Sequence, residues 1–147
     1  MRTIQRILAA AALAAGTVVA VPSTSHAYVV SECLDFPYMV GQRTWKDSAG
    51  QAMANVAIYG KRNASADPGS ICAYFAARGA YEGVAKYMGI TLCDNWVDTP
   101  CDSDTGTFKY YAGPVYQKDG ACGYATVRMR NAAGTTIIND SYYLVCD

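Results

Sequence analysis

The chain has 147 residues, twelve basic and twelve acidic side chains, six cysteines and a single histidine, His26. Its length suits one domain, and its balanced charge argues against nucleic acid or an anionic membrane as a partner, since both select basic proteins. His26 lies in a segment that we expect to be removed on export, which excludes Ser-His-Asp and Cys-His catalysis and histidine zinc sites from the mature protein. We therefore predict no catalytic, metal or cofactor residues. Any enzymatic chemistry would depend on carboxylates, lysine or tyrosine.

Residues 1–27 have the pattern of a secretory signal peptide. Arg2 and Arg6 precede an apolar run, and Ser25-His26-Ala27 forms a small-x-small cleavage site. The apolar run is shorter than the ~20 residues that span a bilayer, so a membrane anchor is the less favoured interpretation. Cleavage removes both arginines and leaves ten basic against twelve acidic side chains, a net charge of about −2. We predict a secreted protein, extracellular or attached to a spore or cell surface, with no membrane contact after cleavage.

All six cysteines lie in the part that we expect to be exported: Cys33, Cys72, Cys93, Cys101, Cys122 and Cys146. An even count in a small secreted domain predicts three disulfides and leaves fifteen possible pairings. The short 94–100 loop favours a Cys93–Cys101 bridge, the last hairpin favours Cys122–Cys146, and elimination leaves Cys33–Cys72. A structural metal site is the alternative, but no Cys-x-x-Cys pair is present to support it.

The pattern Cys-x-Tyr-x-x-x-Arg occurs twice, from Cys72 to Arg78 and from Cys122 to Arg128. Each copy follows a strand-like segment that ends in tyrosine, so the stretch Tyr110–Arg130 reads as a strand, a turn and a second strand. Two β-hairpins of related sequence could also arise by chance, but we favour duplication. The two arginines are interpreted as structural, with a cationic ligand-binding pair as the alternative.

These patterns predict a mainly β fold, a small disulfide-stapled antiparallel sandwich or barrel. It would form a single domain over 28–147, with two related hairpin halves at about 28–93 and 101–147. The alanine-rich segment 73–88 could form an amphipathic helix, but Gly79 and Gly83 disfavour one, and we predict strands. Residues 61–69 predict a polar loop, and the alternation in 126–130 predicts a strand.

The densest charge cluster is acidic and comprises Asp94, Asp98, Asp102 and Asp104. Asp102-Ser-Asp104-Thr-Gly106 resembles the opening of a calcium-binding loop, but Gly113 occupies the twelfth position, where such loops have glutamate. We therefore predict a solvated acidic turn. Paired carboxylates could also serve a glycosidase, although a chain of this size leaves little room for a sugar cleft.

Aromatic residues are numerous, with twelve tyrosines, three phenylalanines and two tryptophans. Tyr59, Tyr74, Tyr116 and Tyr124 occupy repeated positions, which indicates core or cross-strand packing. Four others occur in loop-like or strand-edge sequence and form the candidate binding surface for a glycan or a protein. They are Trp45, Trp96, Tyr110 and Tyr111.

The run from Thr107 to Tyr116, with its core YAGPVY, precedes a turn and Cys122. It resembles spore-associated protein A-like secreted proteins of filamentous actinobacteria, as does the segment Ala54–Tyr59 followed by Cys72. The resemblance implies a small exported protein found with spores or aerial growth, and it implies no catalytic residues. The acidic segment between Cys93 and Cys101 and the C-terminal sequence depart from that family's pattern.

Three functional hypotheses follow. The favoured one is a non-enzymatic protein of a spore or cell-wall surface, stabilised by three disulfides. The second is an inhibitor of an extracellular hydrolase, which would bind an extracellular protein through the 94–100 loop. The third is a carboxylate-dependent enzyme that acts on wall glycans.

Overall fold

The computed structural model describes residues 33–95 and 99–145, and the predicted signal peptide lies outside these ranges. Within them the chain forms strands joined by short turns, with one turn of 3-10 helix at Gly79–Tyr81. The strands are β1 (Tyr38–Lys46), β2 (Ala52–Gly60), β3 (Ile71–Ala77), β4 (Lys86–Cys93), β5 (Asp102–Phe108), β6 (Tyr111–Gln117), β7 (Tyr124–Arg130) and β8 (Thr136–Tyr143).

The strands form two antiparallel sheets of four strands each. The first sheet has the order β1-β2-β3-β6, and the second has the order β5-β4-β7-β8. The predicted mainly β, antiparallel, disulfide-crosslinked fold is confirmed. Of the two architectures that the sequence allowed, the chain adopts the sandwich, because the two sheets remain separate and do not close into a barrel.

The core lies between the sheets and is formed by alternate residues of their central strands. Val56 and Phe75 contribute from the first sheet, and Ile90, Val127 and Met129 contribute from the second, all fully buried. Burial of each large apolar side chain stabilises the fold by about 1.5–3 kcal/mol. Because side chains of a strand alternate between its two faces, this core also determines which residues face outwards.

The alanine-rich segment 73–88 forms the end of β3, the 3-10 turn and the start of β4, as predicted. Gly79 and Gly83 adopt positive φ angles of 56° and 77° in the connection. At Gly79 a side chain would also be obstructed, because a Cβ atom there would lie 2.8 Å from the carbonyl oxygen of Ala52. The two glycines that argue against a helix in the sequence are thus the residues that allow the turn.

The prediction of a hairpin over Tyr110–Arg130 is wrong. Both strands exist, but β6 pairs with β3 in the first sheet, whereas β7 lies between β4 and β8 in the second. The connection passes from one sheet to the other, and its Gly120 packs so closely against β3 that a Cβ atom would lie 2.4 Å from Ile71 Cγ2. By contrast, β2 and β3 do pair directly. The strand order therefore does not repeat between the predicted halves, and the duplication hypothesis gains no support from the topology.

Two predicted disulfides are confirmed. Cys33 is bonded to Cys72, and Cys93 to Cys101, with Cα–Cα distances of 5.7 and 4.4 Å. No cysteine within the described ranges is free, and Cys122 is disulfide-bonded as well. Its predicted partner, Cys146, lies outside the described residues, so the Cys122–Cys146 bridge stays a prediction.

Candidate functional site

Two of the predicted acidic residues join the edges of the two sheets. The Asp104 carboxylate accepts a hydrogen bond of 2.7 Å from the backbone N–H of Gly113, and Asp102 accepts one of 2.8 Å from that of Tyr116. Both carboxylates belong to strand β5, so the prediction of a solvated acidic turn is wrong for them. An edge strand such as β6 presents unpaired N–H groups, and a carboxylate satisfies them strongly. We call this contact the β5–β6 seam.

A second carboxylate contact joins the opposite edges, and it includes a predicted binding residue. Asp140 on β8 accepts a hydrogen bond of 3.1 Å from the Trp45 indole and forms an ion pair of 2.7 Å with Arg43. Hydrogen bonds from the Trp45 indole and the Ser141 backbone, together with the Arg43 charge, hold the pKa of the Asp140 carboxyl below its ordinary value. Trp45 also packs edge-on against Phe75, at 5.8 Å between ring centroids. Trp45 therefore closes the β1–β8 seam.

The rest of the acidic cluster does not form a site in the described residues. Asp94 is buried at the end of β4, and Asp98 lies outside the described ranges. Across residues 33–95 and 99–145, no group of three or more histidine, cysteine, aspartate or glutamate side chains is placed to hold a metal ion. The calcium-loop alternative thus gains no support.

The predicted binding aromatics that lie within the described residues do not share one surface. Tyr111 lies opposite Ala76 on the outer face of the first sheet, whereas Trp45 lies opposite Ala54 on its inner face. Tyr110 is half exposed in the turn before β6. Trp96 lies outside the described residues.

The outer face of the first sheet is a packed aromatic layer. Tyr74 is buried there, stacks on Tyr59 at 6.1 Å and meets Tyr111 edge-on at 6.5 Å. The segment that follows Cys33 covers part of this face: Phe36 contacts Tyr116 at 5.9 Å, and the Cys33–Cys72 disulfide attaches the segment to β3. The predicted core role of the repeated tyrosines is thus confirmed for Tyr74. The cover is incomplete, since Tyr116 is exposed and lines a hollow of about 510 Å³ together with Phe36.

The outer face of the second sheet is polar and carries hydroxyl groups in rows. One row crosses all four strands in register: Ser103, Thr91, Thr126 and Ser141. Thr126 and Ser141 share a hydrogen bond of 2.9 Å between their hydroxyl oxygens. The neighbours Ile90 and Val127 are fully buried, so alternation turns this row to the solvent. We call this surface the hydroxyl face.

The next row along the strands contains a depression. Its members are, in register, Thr105, Gly89, Arg128 and Asn139. Because Gly89 has no side chain, a hollow of about 200 Å³ opens between Tyr87, Thr91, Thr126 and Arg128. A Cβ atom on Gly89 would lie 2.9 Å from Thr105 Cγ2, so glycine is what keeps the hollow open.

Aromatic and cationic side chains flank these rows. Tyr124 stacks on Tyr143 at 5.3 Å at one end, and the Arg130 guanidinium lies 4.8 Å from the Tyr87 ring centroid at the other. Between them, Arg128 donates a hydrogen bond of 3.2 Å from Nε to Asn139 Oδ1. Arg128 stands on this face without its proposed counterpart, because Arg78 follows the end of β3 in the first sheet.

Sequence reasoning missed the hydroxyl face as a unit. Ser103, Thr105 and Thr107 alternate along the chain, and this pattern indicates one polar face of a strand. The rows themselves depend on the pairing of β5, β4, β7 and β8, which no local pattern reveals.

Among the described residues, no helix is long and apolar enough to cross a bilayer. Comparisons of the chain with protein-family models, with curated proteins and with solved structures find no match.

Proposed function

We propose that the chain is a secreted, non-enzymatic protein that attaches to the outside of a spore or cell and uses the crosslinked sandwich as its scaffold. The observation that carries the proposal is the hydroxyl face, an exposed array of hydroxyl, amide, guanidinium and aromatic groups on a sheet whose opposite side is core. Such an array suits reversible attachment to a hydrated surface. A single hydrogen bond contributes little, because it replaces one made with water, so attachment depends on many groups acting together.

The use of the carboxylates supports the non-enzymatic part of the proposal. A carboxylate-dependent enzyme would need carboxyl groups free to exchange protons with a substrate. Asp102, Asp104 and Asp140 instead accept hydrogen bonds from backbone and indole N–H groups in the two seams. This arrangement argues against the hypothesis of a carboxylate-dependent wall enzyme.

Fractionation of a sporulating or growing culture tests the proposal. We expect the protein in the washed spore or cell pellet, released by salt or mild denaturant. A control protein of similar size, exported with the same residues 1–27, should stay in the culture fluid. Recovery of the protein only in the fluid would contradict the proposal.

The disulfide at the 94–100 loop favours a second candidate function, inhibition of an extracellular hydrolase. Cys93 and Cys101 constrain the ends of the loop at a Cα–Cα distance of 4.4 Å, and Asn95, Thr99 and Pro100 are exposed. Preorganised loops bind with a smaller entropic cost than flexible ones. Purified protein should then inhibit a member of a panel of secreted proteases and amylases, and Cys93→Ser/Cys101→Ser should weaken the inhibition. A panel without any inhibition removes this candidate.

A further inference from the structure

We propose that the hydroxyl face binds a polysaccharide that carries carboxylates on its sugar rings. This inference deepens the proposed attachment to an outer surface, on which it rests, by naming the chemistry of the ligand. Four features of the second sheet carry it: the direction of its charges, the rows of hydroxyl groups, the hollow at Gly89 and the aromatic rings at both ends.

The charged side chains of this sheet that turn outwards are both cations, and its remaining cation, Lys86, is buried. The carboxylates of its strands, Asp102, Asp104 and Asp140, all turn towards the seams. Arg128 and Arg130 turn outwards, and neither forms an ion pair with any described residue. Solubility alone would be served by exposed side chains of either charge. An outward surface with cations alone is complementary to an anionic ligand, although the mature protein is itself slightly acidic.

Arg128 is placed to receive a single carboxylate. Its Nε is held by Asn139, which leaves the terminal N–H groups of the guanidinium to point away from that contact. These groups bind a planar carboxylate in a two-pronged geometry. The hollow beside Arg128 has a volume of about 200 Å³ and is lined by Thr91, Thr105 and Thr126, whose hydroxyls can bind the ring hydroxyls of a sugar.

The length and the aromatic ends of the face indicate a chain and not a small molecule. Tyr124 lies opposite Cys93, and Tyr87 lies on the same strand as Cys93, so the two tyrosine rows are about 20 Å apart at the rise of a strand. Tyrosine rings at the ends of a polar surface can stack on sugar rings while their hydroxyls stay in water. With two cations over this length, the face suits a polymer of lower charge density than polyphosphate. A polyphosphate chain would need more cations, because its affinity depends on counterion release.

Binding to polygalacturonate, measured by calorimetry with the secreted, disulfide-bonded protein, tests the inference. The fully methyl-esterified polymer is the matched probe, since it keeps the sugars and lacks the charge. We expect the ester to bind about tenfold more weakly or worse, because a charge-assisted hydrogen bond contributes enough for such a factor. Equal affinity for the two polymers, or no binding to polygalacturonate, would overturn the inference.

Variants then test the location. Arg128→Gln/Arg130→Gln should weaken binding by about tenfold or more, whereas Arg62→Gln, in the 61–69 loop, should change it by less than about twofold. Gly89→Ala combined with Thr105→Ser should fill the hollow without the contact to Thr105 Cγ2 and should weaken binding, with Thr105→Ser alone as the control. Equal effects of Arg62→Gln and of the double arginine variant would overturn the assignment to this face.

The same protein samples distinguish other ligands of the hydroxyl face. Tighter binding to a glycerol-phosphate polymer than to polygalacturonate, or self-association in sedimentation that Arg128→Gln abolishes, would overturn the inference in favour of a phosphate polymer or a second copy. Failure of the inference can also be told apart from failure of the proposed function. If the Arg128→Gln/Arg130→Gln protein stays in the spore or cell pellet, attachment stands and the ligand assignment is wrong. If the parent protein is found only in the fluid, the proposed function fails.

Discussion

The two sheets of the sandwich present outer faces of opposite character. The outer face of the first sheet is an aromatic layer around Tyr74, partly covered by the segment that Cys33 attaches to it. The outer face of the second sheet is open and polar, with hydroxyl rows, two outward arginines and a hollow at Gly89. One face therefore adds a second layer of packing to the fold, whereas the other is an open polar surface.

The same short sequence pattern, Cys-x-Tyr-x-x-x-Arg, occurs in both sheets. Tyr74 and Tyr124 both follow a cysteine by two residues and both stack on a tyrosine of the neighbouring strand. Tyr74 is buried under the covering segment, whereas Tyr124 is only half-buried. The context that the fold supplies, and not the pattern, decides which tyrosine stabilises the molecule.

The largest expected effect comes from truncation of these two tyrosines. Tyr74→Ala should lower the free energy of unfolding by about 3–5 kcal/mol, because it removes a large buried ring. Tyr124→Ala should lower it by about 1 kcal/mol, the size of a cross-strand pair. Urea denaturation followed by circular dichroism measures both. Equal losses would contradict the contrast between the faces, and Tyr74→Phe provides a milder variant if Tyr74→Ala does not fold.

Removal of each disulfide should affect the stability of the protein to a different extent. The Cys33–Cys72 bridge has a sequence separation of 39 residues, and the Cys93–Cys101 bridge has one of 8. Chain-entropy arguments give a stabilisation of about 4 kcal/mol for the longer loop and about 2.5 kcal/mol for the shorter. Cys33→Ser/Cys72→Ser should therefore lower the melting temperature more than Cys93→Ser/Cys101→Ser does. The reverse order would show that the covering segment contributes little to the stability of the first sheet.

A smaller effect is expected at the seam that holds the two sheets together. Asp104→Ala removes the acceptor of the Gly113 N–H and should lower the free energy of unfolding by about 1–3 kcal/mol, since a half-buried donor loses its partner. Asp67→Ala breaks only the exposed ion pair with Arg62 and should cost less than about 1 kcal/mol. Chemical denaturation of both variants gives the comparison. Equal costs would mean that the β5–β6 seam does not contribute to sheet association.

The smallest effect is a dependence of stability on alkaline pH. Burial, with the hydrogen bond and repulsion from Tyr59, raises the pKa of Tyr74 above the ordinary tyrosine value of about 10. The unfolded chain therefore ionises Tyr74 first, so its stabilising contribution is complete below about pH 10 and is lost as pH rises from there towards the folded pKa. Urea midpoints between about pH 8 and 11 should fall, and Tyr74→Phe should flatten the fall. An unchanged slope in Tyr74→Phe would assign the alkaline loss to other tyrosines.

The site was less predictable from the sequence than the fold was. Trp45 and Tyr111 both stand in edge-like sequence, yet the register of β1 with β2 and of β6 with β3 places them on opposite faces of the sheet. The sequence predicts a solvated acidic turn at Asp102 and Asp104, because the calcium-loop pattern lacks its glutamate where Gly113 stands. Whether a carboxylate meets water or an edge N–H group depends on how the two sheets pack, because β5 and the next strand, β6, belong to different sheets.

By itself the sequence determined the β content and the turn at Gly79, and it predicts export and a Cys93–Cys101 crosslink across a short loop. These features depend on local alternation, on cysteine spacing and on backbone freedom, which are properties of short segments. Only the tertiary structure decided that β6 and β7 part into different sheets, that three aspartates close the seams and that the hydroxyls of Thr91 and Thr126 align. The physical reason is that strand pairing is a long-range choice, made by the burial of a shared core and not by any segment alone.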